Sequence, residues 1–212
     1  MSSRINFGNR TFTQRELEIA TAEFDEANLL GRGSYGSVYK AIIDDGNSVV
    51  AVKVLHGESI QSLRNYKREC QILSGIKHRN LVRMIGFAWS LQFKAIVLAY
   101  VGNGSLEQHL YPNGSEIGNC NLKLRDRLGI AIDVAHGLEY IHEYCSDQVI
   151  HCDLKPQNVL LDTDMVAHVA DFGVGKLILA DKLREHVSTT DFLRGSIGYI
   201  PPEYGQGIEV ST

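Results

Sequence analysis

The chain has 212 residues, of which 44% are hydrophobic and 22% are charged, and its formal net charge is −4. This composition is typical of a globular protein, and the length allows one domain or two small lobes. The slightly negative net charge gives no sign of a basic surface that would bind nucleic acid or an anionic membrane. No run of about 18 apolar residues occurs, and residues 1–15 lack the apolar core of a signal peptide.

The first hundred residues are predicted to form a mainly antiparallel sheet with one inserted helix. Residues 13–24 carry an amphipathic helical pattern that Thr13 can cap, with Glu16 at the capping-box position. The following segments are predicted as strands over residues 29–55 around an Asp-Asp-Gly-Asn turn, a helix over 59–75, and strands over 81–88 and 93–101.

The second half is predicted to be mainly helical. Ser105 follows a Gly-Asn-Gly break and can cap a short helix that ends at Leu110. A long helix is predicted from about Leu124 to Tyr144, because apolar residues recur there every three or four positions and indicate one buried stripe. The members of this stripe are Leu124, Leu128, Ala131, Val134, Ala135, Leu138 and Ile141. A small hairpin over residues 159–170 follows.

The cysteines offer no pattern for a metal site. They are Cys70, Cys120, Cys145 and Cys152. None of them forms a Cys-x-x-Cys or Cys/His spacing suited to zinc, so we expect reduced thiols in a cytosolic setting.

A glycine-rich segment, Gly31-Arg32-Gly33-Ser34-Tyr35-Gly36, matches the GxGxxG pattern of phosphate-binding loops. A dinucleotide-binding fold would open a helix here, with an acidic residue about 20 positions on. Instead, β-branched and aromatic residues follow, so the sequence predicts strand, loop and strand. Glycines let the backbone approach phosphates and leave N–H groups facing them. The residues expected to bind phosphate are Gly31, Arg32, Gly33, Ser34 and Gly36.

The most informative segment is His-Cys-Asp-Leu-Lys-Pro-Gln-Asn at residues 151–158, followed by Asp-Phe-Gly from Asp171. Phosphoryl transfer from ATP needs a carboxylate that orients a hydroxyl, a cation near the moving phosphate, and oxygen ligands for magnesium. Asp153 and Lys155 offer the first two groups. Asn158 and Asp171 offer the hard oxygens that Mg²⁺ prefers. The segment resembles the catalytic loop of eukaryotic protein kinases.

Lys53 ends an Ala-Val-Lys run that is similar to the Val-Ala-Ile-Lys motif of kinases. By this resemblance it holds the α- and β-phosphates of ATP. A buried ammonium needs a counter-charge. Glu69 is the best candidate because it lies in mid-helix beside apolar positions, and Glu58 is a weaker alternative because it precedes the helix proper.

Taken together, these motifs resemble the cytoplasmic kinase domain of plant leucine-rich-repeat receptor-like serine/threonine kinases, over residues 11–212. Further carriers of the resemblance are Phe12-Thr13, Glu16-Leu17, Ala20-Thr21, Phe24, Leu30–Gly33, Lys77–Val82, Asn103–Leu106 and Gly198–Tyr204. Cys152, directly before the catalytic Asp, places the chain with the group that lacks Arg there, which the family associates with innate immune receptors.

The resemblance implies an α+β, bilobal protein-kinase-like fold with an N-lobe antiparallel sheet plus one helix and a mainly helical, incomplete C-lobe. The expected divisions are a juxtamembrane-like segment over 1–28, an N-lobe over 29–100 and a C-lobe over 101–212, truncated after the activation segment. The implied cofactors are ATP and Mg²⁺, with Mn²⁺ as an alternative. The implied partners are protein substrates and a co-receptor kinase, on the cytoplasmic side of the plasma membrane, with membrane contact through a segment outside this chain.

The resemblance also implies an adenine site of apolar side chains and backbone groups, as a flat purine requires. Its members are Leu98 as gatekeeper, the Ala99–Val101 backbone as hinge, Val38 and Ala51 above the ring, and Leu160 below it.

The segment from Asp171 to Glu203 corresponds to a kinase activation segment. Cys152 cannot form the ion pair through which an Arg at this position meets an activation-loop phosphate, so we hypothesise switching without that clamp. Ser196 is expected to pair with Asp153 and Lys155. The possible phosphorylation sites are Ser188, Thr189, Thr190 and Ser196, and His151 is expected to pack under Phe172.

A second class of function stays open, namely a catalytically inactive pseudokinase or scaffold that binds nucleotide or partner kinases. The residues that favour an active enzyme are Lys53, Glu69, Asp153, Asn158 and Asp171, because degenerate kinases usually lose one of them. The family's C-lobe extends further than this sequence, so we expect an isolated 212-residue fragment to be poorly stable, and to bind ATP weakly or to act as a scaffold without transfer activity.

Overall fold

A computed structural model describes residues 9–33, 36–44, 46–57, 59–112, 122–177, 195–200 and 202. The chain divides into two compact units. The N-terminal unit comprises Met1–Ser74 and Arg83–Tyr100, and the C-terminal unit comprises Gly75–Val82 and Val101–Thr212. The divisions predicted at residues 28/29 and 100/101 stay predictions.

The N-terminal unit is built on one six-stranded sheet with the strand order β1-β5-β6-β4-β3-β2. All neighbouring pairs are antiparallel except β1, which pairs with β5 in parallel. The elements are β1 (Arg10–Thr11), α1 (Gln14–Ala20), a 3₁₀ turn (Glu26–Asn28), β2 (Leu29–Gly33), β3 (Gly36–Ile43), β4 (Ser48–Leu55), α2 (Ile60–Gly75), β5 (Met84–Trp89) and β6 (Lys94–Ala99). The predicted antiparallel sheet with its inserted helix is confirmed.

Helix α1 begins as predicted and ends earlier than predicted. The Thr13 hydroxyl accepts a hydrogen bond from the Glu16 backbone, and the Glu16 carboxylate accepts one from the Thr13 backbone, so the capping box is confirmed. The helix ends at Ala20, because residues 22–24 adopt φ values between 53° and 57°. Such left-handed backbone cannot continue a right-handed helix, so the predicted extension to Phe24 is wrong.

The sequence predicts Leu63, Tyr66, Cys70 and Leu73 on one side of helix α2, and Leu63 is only half-buried there. Tyr66, Cys70 and Leu73 are all buried, and the Tyr66 hydroxyl donates to the Ala88 carbonyl over 2.8 Å. Burial raises the pKa of the Cys70 thiol to about 12, so this cysteine is an inert packing residue. In the described part of the chain, Cys70, Cys145 and Cys152 are outside any disulfide bond.

In the described residues, the C-terminal unit contains two α-helices and several short strands. Its elements are α3 (Leu106–Leu110), α4 (Leu124–Glu139), a π-helical turn (Tyr140–Tyr144), β7 (Val149–Ile150), a 3₁₀ turn (Pro156–Asn158), β8 (Val159–Leu161), β9 (Ala167–Val169) and β10 (Lys176–Leu177). Strand β8 pairs with β9 and β7 pairs with β10, both antiparallel. Ser105 caps α3, as predicted, with Gln108 completing a capping box.

The buried face of α4 differs from the predicted one. Leu124 and Leu128 are 83% and 60% exposed, whereas Ile130 and Ile141 are buried. Ile130 joins the core cluster of the β8–β9 hairpin, and an added Cβ at Gly137 would meet Asn80 at 3.0 Å. The predicted members that lie exposed or only half-buried are Leu124, Leu128, Ala131, Val134, Ala135 and Leu138. Both stripes have helical spacing, so periodicity alone could not choose between them.

Candidate active site

The glycine-rich segment is a β-hairpin, as the sequence predicts. Gly31 pairs with Val38, Arg32 with Ser37, and Gly33 with Gly36. A side chain at Gly36 would overlap the Val54 carbonyl oxygen, whereas a Cβ at Gly31 would meet nothing within 4 Å. The close approach of β4 therefore requires glycine at position 36, whereas the space beside Gly31 is not filled by other described atoms. Ser34 lies outside the described residues.

The side chain of Arg32 has its own partner. Its guanidinium forms an ion pair with Glu26, and both side chains are more than half exposed. The prediction that Arg32 binds phosphate stays a prediction, for which its backbone N–H needs no release from this ion pair.

Lys53 and Glu69 form a buried ion pair in the N-terminal unit. The Lys53 Nζ lies 2.7 Å from the Glu69 Oε1, and the side chains are only 10% and 2% exposed. Lys53 comes from β4 and Glu69 from the middle of α2. The structure thus supplies the counter-charge expected for a buried ammonium, from Glu69. The alternative, Glu58, lies outside the described residues.

Apolar residues surround Lys53 on its face of the sheet. Val38 is the register partner of Lys53, and Leu98 is the register partner of Ala51, which lies two residues before Lys53. These side chains therefore point to the same side. The Ala99 amide donates to the Arg83 carbonyl over 2.8 Å, so a purine at the predicted hinge would use backbone groups other than this N–H. Val101 and Leu160 belong to the C-terminal unit.

In the C-terminal unit, Asp153 is the centre of a hydrogen-bonded cluster. Its Oδ1 accepts from the Ser196 amide over 2.8 Å, and its Oδ2 lies 3.0 Å from the Lys155 Nζ. Lys155 also donates to the Ser196 hydroxyl. The predicted pairing of Ser196 with Asp153 and Lys155 is present. The other predicted phosphorylation sites, Ser188, Thr189 and Thr190, lie outside the described residues.

Asn158 is oriented by the same loop. Its Nδ2 donates to the Asp153 backbone carbonyl over 2.8 Å and to the Asp153 carboxylate over 3.1 Å. A backbone carbonyl can only accept, so the nitrogen end of the amide must face it. The amide oxygen is thereby directed away from Asp153 and can serve as a metal ligand.

Asp153 remains ionised at neutral pH. Burial alone would raise the pKa of this carboxyl, but hydrogen bonds from Lys155 and Ser196 outweigh burial and lower the pKa below its ordinary value. A carboxylate of this kind can accept a hydrogen bond from a hydroxyl group and orient it.

His151 links the loop that carries Asp153 to the segment before Asp171. Its Nδ1 accepts from the Asp153 amide over 3.2 Å, and its Nε2 donates to the Ala170 carbonyl over 2.8 Å. The ring lies against Phe172, with 4.8 Å between centroids. Burial lowers the pKa of His151. The ring is therefore neutral and structural, in line with its predicted packing under Phe172.

Two residues of this region have left-handed backbone, a feature that sequence reasoning missed. Cys152 has φ 63° and Asp171 has φ 65°. Non-glycine residues in this conformation store backbone strain and cluster at functional sites. The Asp171 carboxylate also accepts from the Gly173 amide over 3.3 Å. Cysteine gives no signal of positive φ in the sequence, and aspartate gives only a weak one.

Asn80 is a supporting residue whose role the sequence did not reveal. It is fully buried, and its Nδ2 donates to the Ala167 carbonyl over 3.0 Å. Its own carbonyl accepts from the Val169 amide over 2.8 Å. Asn80 thus anchors β9, which leads directly to Asp171. The available signals were its place in the Lys77–Val82 segment that carries the family resemblance and its position beside an apolar run.

Comparison with known proteins agrees with this geometry. Residues 24–211 match the family model described as the protein kinase domain. The chain is 44% identical over 208 residues to a putative leucine-rich repeat receptor-like serine/threonine-protein kinase of Arabidopsis thaliana, which covers 93% of the chain and 21% of that relative.

Two further relatives give the same picture. The chain is 38% identical to the LRR receptor-like serine/threonine-protein kinase EFR of Arabidopsis thaliana, over 97% of the chain and 21% of the relative. It is 40% identical to the receptor kinase-like protein Xa21 of Oryza sativa subsp. japonica, over 97% of the chain and 20% of the relative. The chain therefore spans about a fifth of the length of these relatives. Because the protein kinase match extends over most of its length, the chain belongs to the protein kinase domain family.

Proposed function

We propose that the chain transfers the γ-phosphate of ATP to serine or threonine hydroxyls of proteins. The observation that carries this proposal is the cluster in which Ser196 and Lys155 both contact the Asp153 carboxylate. An ionised carboxylate beside a lysine is what an acceptor hydroxyl and a transferring phosphate require.

The donor set fits a magnesium nucleotide. Asn158 presents an amide oxygen and Asp171 a carboxylate, both hard ligands suited to Mg²⁺ or Mn²⁺. Lys53 is a buried, paired ammonium on an apolar face of the sheet, which suits a phosphate group next to a purine. When bound, ATP supplies the transferable phosphoryl group, and the metal ion neutralises the charge on its oxygens.

The residues of the chain then have separate tasks. Asp153 orients the acceptor hydroxyl and receives its proton, and Lys155 stabilises negative charge near the phosphoryl group. Glu69 fixes the Lys53 ammonium so that its position is set before the nucleotide arrives. The backbone of Gly31 and Gly33 offers N–H groups to phosphates.

The wider context is also a proposal. The similarity to receptor-like kinases supports a role as the kinase portion of a membrane receptor, on the cytoplasmic side of the plasma membrane, with protein substrates and a co-receptor kinase as partners. Cys152 before Asp153 supports a role in innate immune signalling. Residues 1–28 would then be a juxtamembrane-like segment, 29–100 the N-lobe and 101–212 the C-lobe. Among the described helices, none is both long and apolar enough to cross a bilayer.

The test is a phosphotransfer assay with Mg²⁺, ATP and a generic serine/threonine protein substrate. The wild-type chain is compared with Asp171→Asn, Lys53→Met and the matched control Lys67→Met, which changes an exposed lysine of α2. Transfer by the wild type and the control, but not by the two site variants, supports the proposal. Nucleotide binding without transfer in all four proteins would contradict it and favour the scaffold alternative.

A further inference from the structure

We infer that residues 9–24 form a strap that clamps one face of the N-terminal sheet and thereby sets the nucleotide affinity of the opposite face. Most of this strap precedes the part of the chain that matches the protein kinase family, which begins at residue 24. The effect on nucleotide affinity rests on the proposed function, whereas the clamping of the sheet does not.

The strap extends the sheet at its edge. Arg10 and Thr11 pair in parallel with Gly86 and Phe87, and the Phe12 amide donates to the Phe87 carbonyl over 2.8 Å. A side chain at Gly86 would overlap the Arg10 carbonyl oxygen and approach the Phe12 ring to 2.6 Å. The absence of a Cβ at this position therefore lets the strap approach the sheet closely.

The strap also contributes side chains to the core. Phe12 and Leu17 are buried within a cluster formed by the sheet residues Ala41, Ile43, Val50, Val52, Ala88, Phe93, Ala95 and Val97. Phe24 packs on the same cluster, with its ring 5.4 Å from Tyr39 and 5.8 Å from Phe93 between centroids. Without the strap this apolar face of the sheet would meet water, which costs about 25 cal/mol for each Å² exposed.

Local interactions give the strap one defined conformation. Its helix has a complete capping box, and the Thr21 hydroxyl donates to the Leu17 carbonyl over 2.7 Å. At the start, Arg10 forms an ion pair with Asp44 over 2.7 Å and lies over the Phe12 ring. Hydrogen bonds within the strap and an ion pair to the sheet therefore hold it in place in addition to its apolar packing, and the strap is a folded part of the N-terminal unit.

Strand β4 connects the strap to the opposite face of the sheet, which carries Lys53 and is the proposed nucleotide-binding face. Val50 and Val52 belong to the strap cluster. Ala51 and Lys53, which alternate with them along β4, point to the other face of the sheet because side chains alternate along a strand. A strap that leaves the sheet therefore removes the support directly behind Lys53. We expect loosening of β4 to weaken the fixed position of the Lys53 ammonium and hence the affinity for nucleotide.

The experiment compares the full chain with the variant Phe12→Ala/Leu17→Ala and with the control Ile19→Ala, which truncates an exposed residue of the same helix. We expect the double variant to melt roughly 10 °C lower or more, with faster hydrogen exchange at the backbone amide of position 12. We also expect it to bind an ATP analogue about fivefold more weakly. The control is expected to match the wild type in all three measurements.

A second pair of variants displaces the strap without truncating it. Gly86→Ala places a methyl group against β1, and Gly129→Ala places the same group in open space on α4. Faster exchange at Phe12 and weaker nucleotide binding in Gly86→Ala alone support the inference. Unchanged melting and exchange in both strap variants would overturn the strap itself. Lower melting with unchanged nucleotide affinity would overturn only its coupling to the site, whereas a wild type that binds no nucleotide would contradict the proposed function instead.

Discussion

The Lys53 ammonium and the Glu69 carboxylate lie 2.7 Å apart in a nearly solvent-free environment, with 10% and 2% of their side chains exposed. Removing two charges from water carries a large desolvation cost, and their attraction offsets it only while both partners are present. A pair of this kind contributes little to stability compared with apolar residues of the same size. Its retention in the interior is therefore explained better by a requirement for a fixed cation than by a requirement for stability.

Substitutions of Lys53 and Glu69 are therefore predicted to affect the free energy of unfolding and the phosphotransfer rate independently. Glu69→Gln leaves the Lys53 charge without its carboxylate partner and should lower the free energy of unfolding by about 3 kcal/mol. The double variant Lys53→Met/Glu69→Leu should regain most of that loss, because both sites become apolar, while phosphotransfer stays absent. Urea denaturation and a phosphotransfer assay measure the two quantities. A double variant less stable than Glu69→Gln would contradict the account.

The second prediction concerns Asp171 and the metal. Asp171→Asn removes the carboxylate charge and should reduce Mg²⁺-dependent transfer by at least about 100-fold, the scale seen when one electrostatic group is lost from a transition state. Binding of an ATP analogue in the absence of Mg²⁺ should be unchanged. The control Asp164→Asn changes an exposed carboxylate in the β8–β9 turn and should leave transfer intact. Equal loss in the two variants would show a general charge effect rather than a metal site.

The third prediction concerns Cys152, which stands where many kinases carry Arg. Its backbone has φ 63°, and its thiol donates only weakly, to the Ile150 carbonyl over 3.6 Å. Cys152→Arg should change basal phosphotransfer by less than about tenfold, or about 1.4 kcal/mol of activation free energy, and should not make activity strictly dependent on phosphate. Assays before and after phosphatase treatment test this. If the wild type loses nearly all activity on dephosphorylation, switching without an Arg clamp is ruled out.

The fourth prediction follows from the neutral His151. Burial lowers the pKa of this ring below 6.5. Below about pH 6.5 the unfolded chain therefore binds a proton that the folded chain does not bind. His151 then contributes full stability above that pH, and the contribution falls as the pH drops from 6.5 through the folded pKa, by up to about 1.36 kcal/mol per pH unit.

The measurement for His151 is the difference in unfolding free energy between the wild type and His151→Gln from pH 8 to pH 5. The difference cancels other titrating groups that face the ring, including Asp153, Asp171 and Lys155, wherever these are unchanged by the substitution. We expect a constant difference above pH 6.5 and a declining one below it. A difference that stays constant over the whole range would mean that His151 is not held neutral.

The sequence predicts a structural feature well where residues close together in the chain determine it. The capping residues Thr13 and Ser105 and the hairpin at Gly31–Gly36 depend on neighbouring residues, and all three are present in the structure. The order and spacing of Asp153, Asn158 and Asp171 likewise suffice to recognise the protein kinase family.

Prediction fails where distant contacts decide. The parallel pairing of Arg10 with Gly86 joins residues 76 positions apart, and no local sequence pattern predicts it. The left-handed backbone of Cys152 is imposed by surrounding contacts, since cysteine does not favour it, and the preference of aspartate is too weak to predict it at Asp171. Helix α4 shows the same limit, because its sequence offers two apolar stripes and only the packing partners determine which one is buried.

Helix α4 gives the last prediction, which separates the sequence-based stripe from the observed one. Leu128 is 60% exposed and Ile130 is 3% exposed. Leu128→Ala should therefore change the free energy of unfolding by less than about 0.5 kcal/mol. Ile130→Ala should cost about 2–5 kcal/mol, because it opens a cavity in the cluster with Val159 and Leu161. Urea denaturation of the two variants, which carry nearly the same loss of volume, gives the comparison. A larger cost for Leu128→Ala than for Ile130→Ala would restore the stripe predicted from periodicity and would show that the face containing Leu124 and Leu128 is packed in solution.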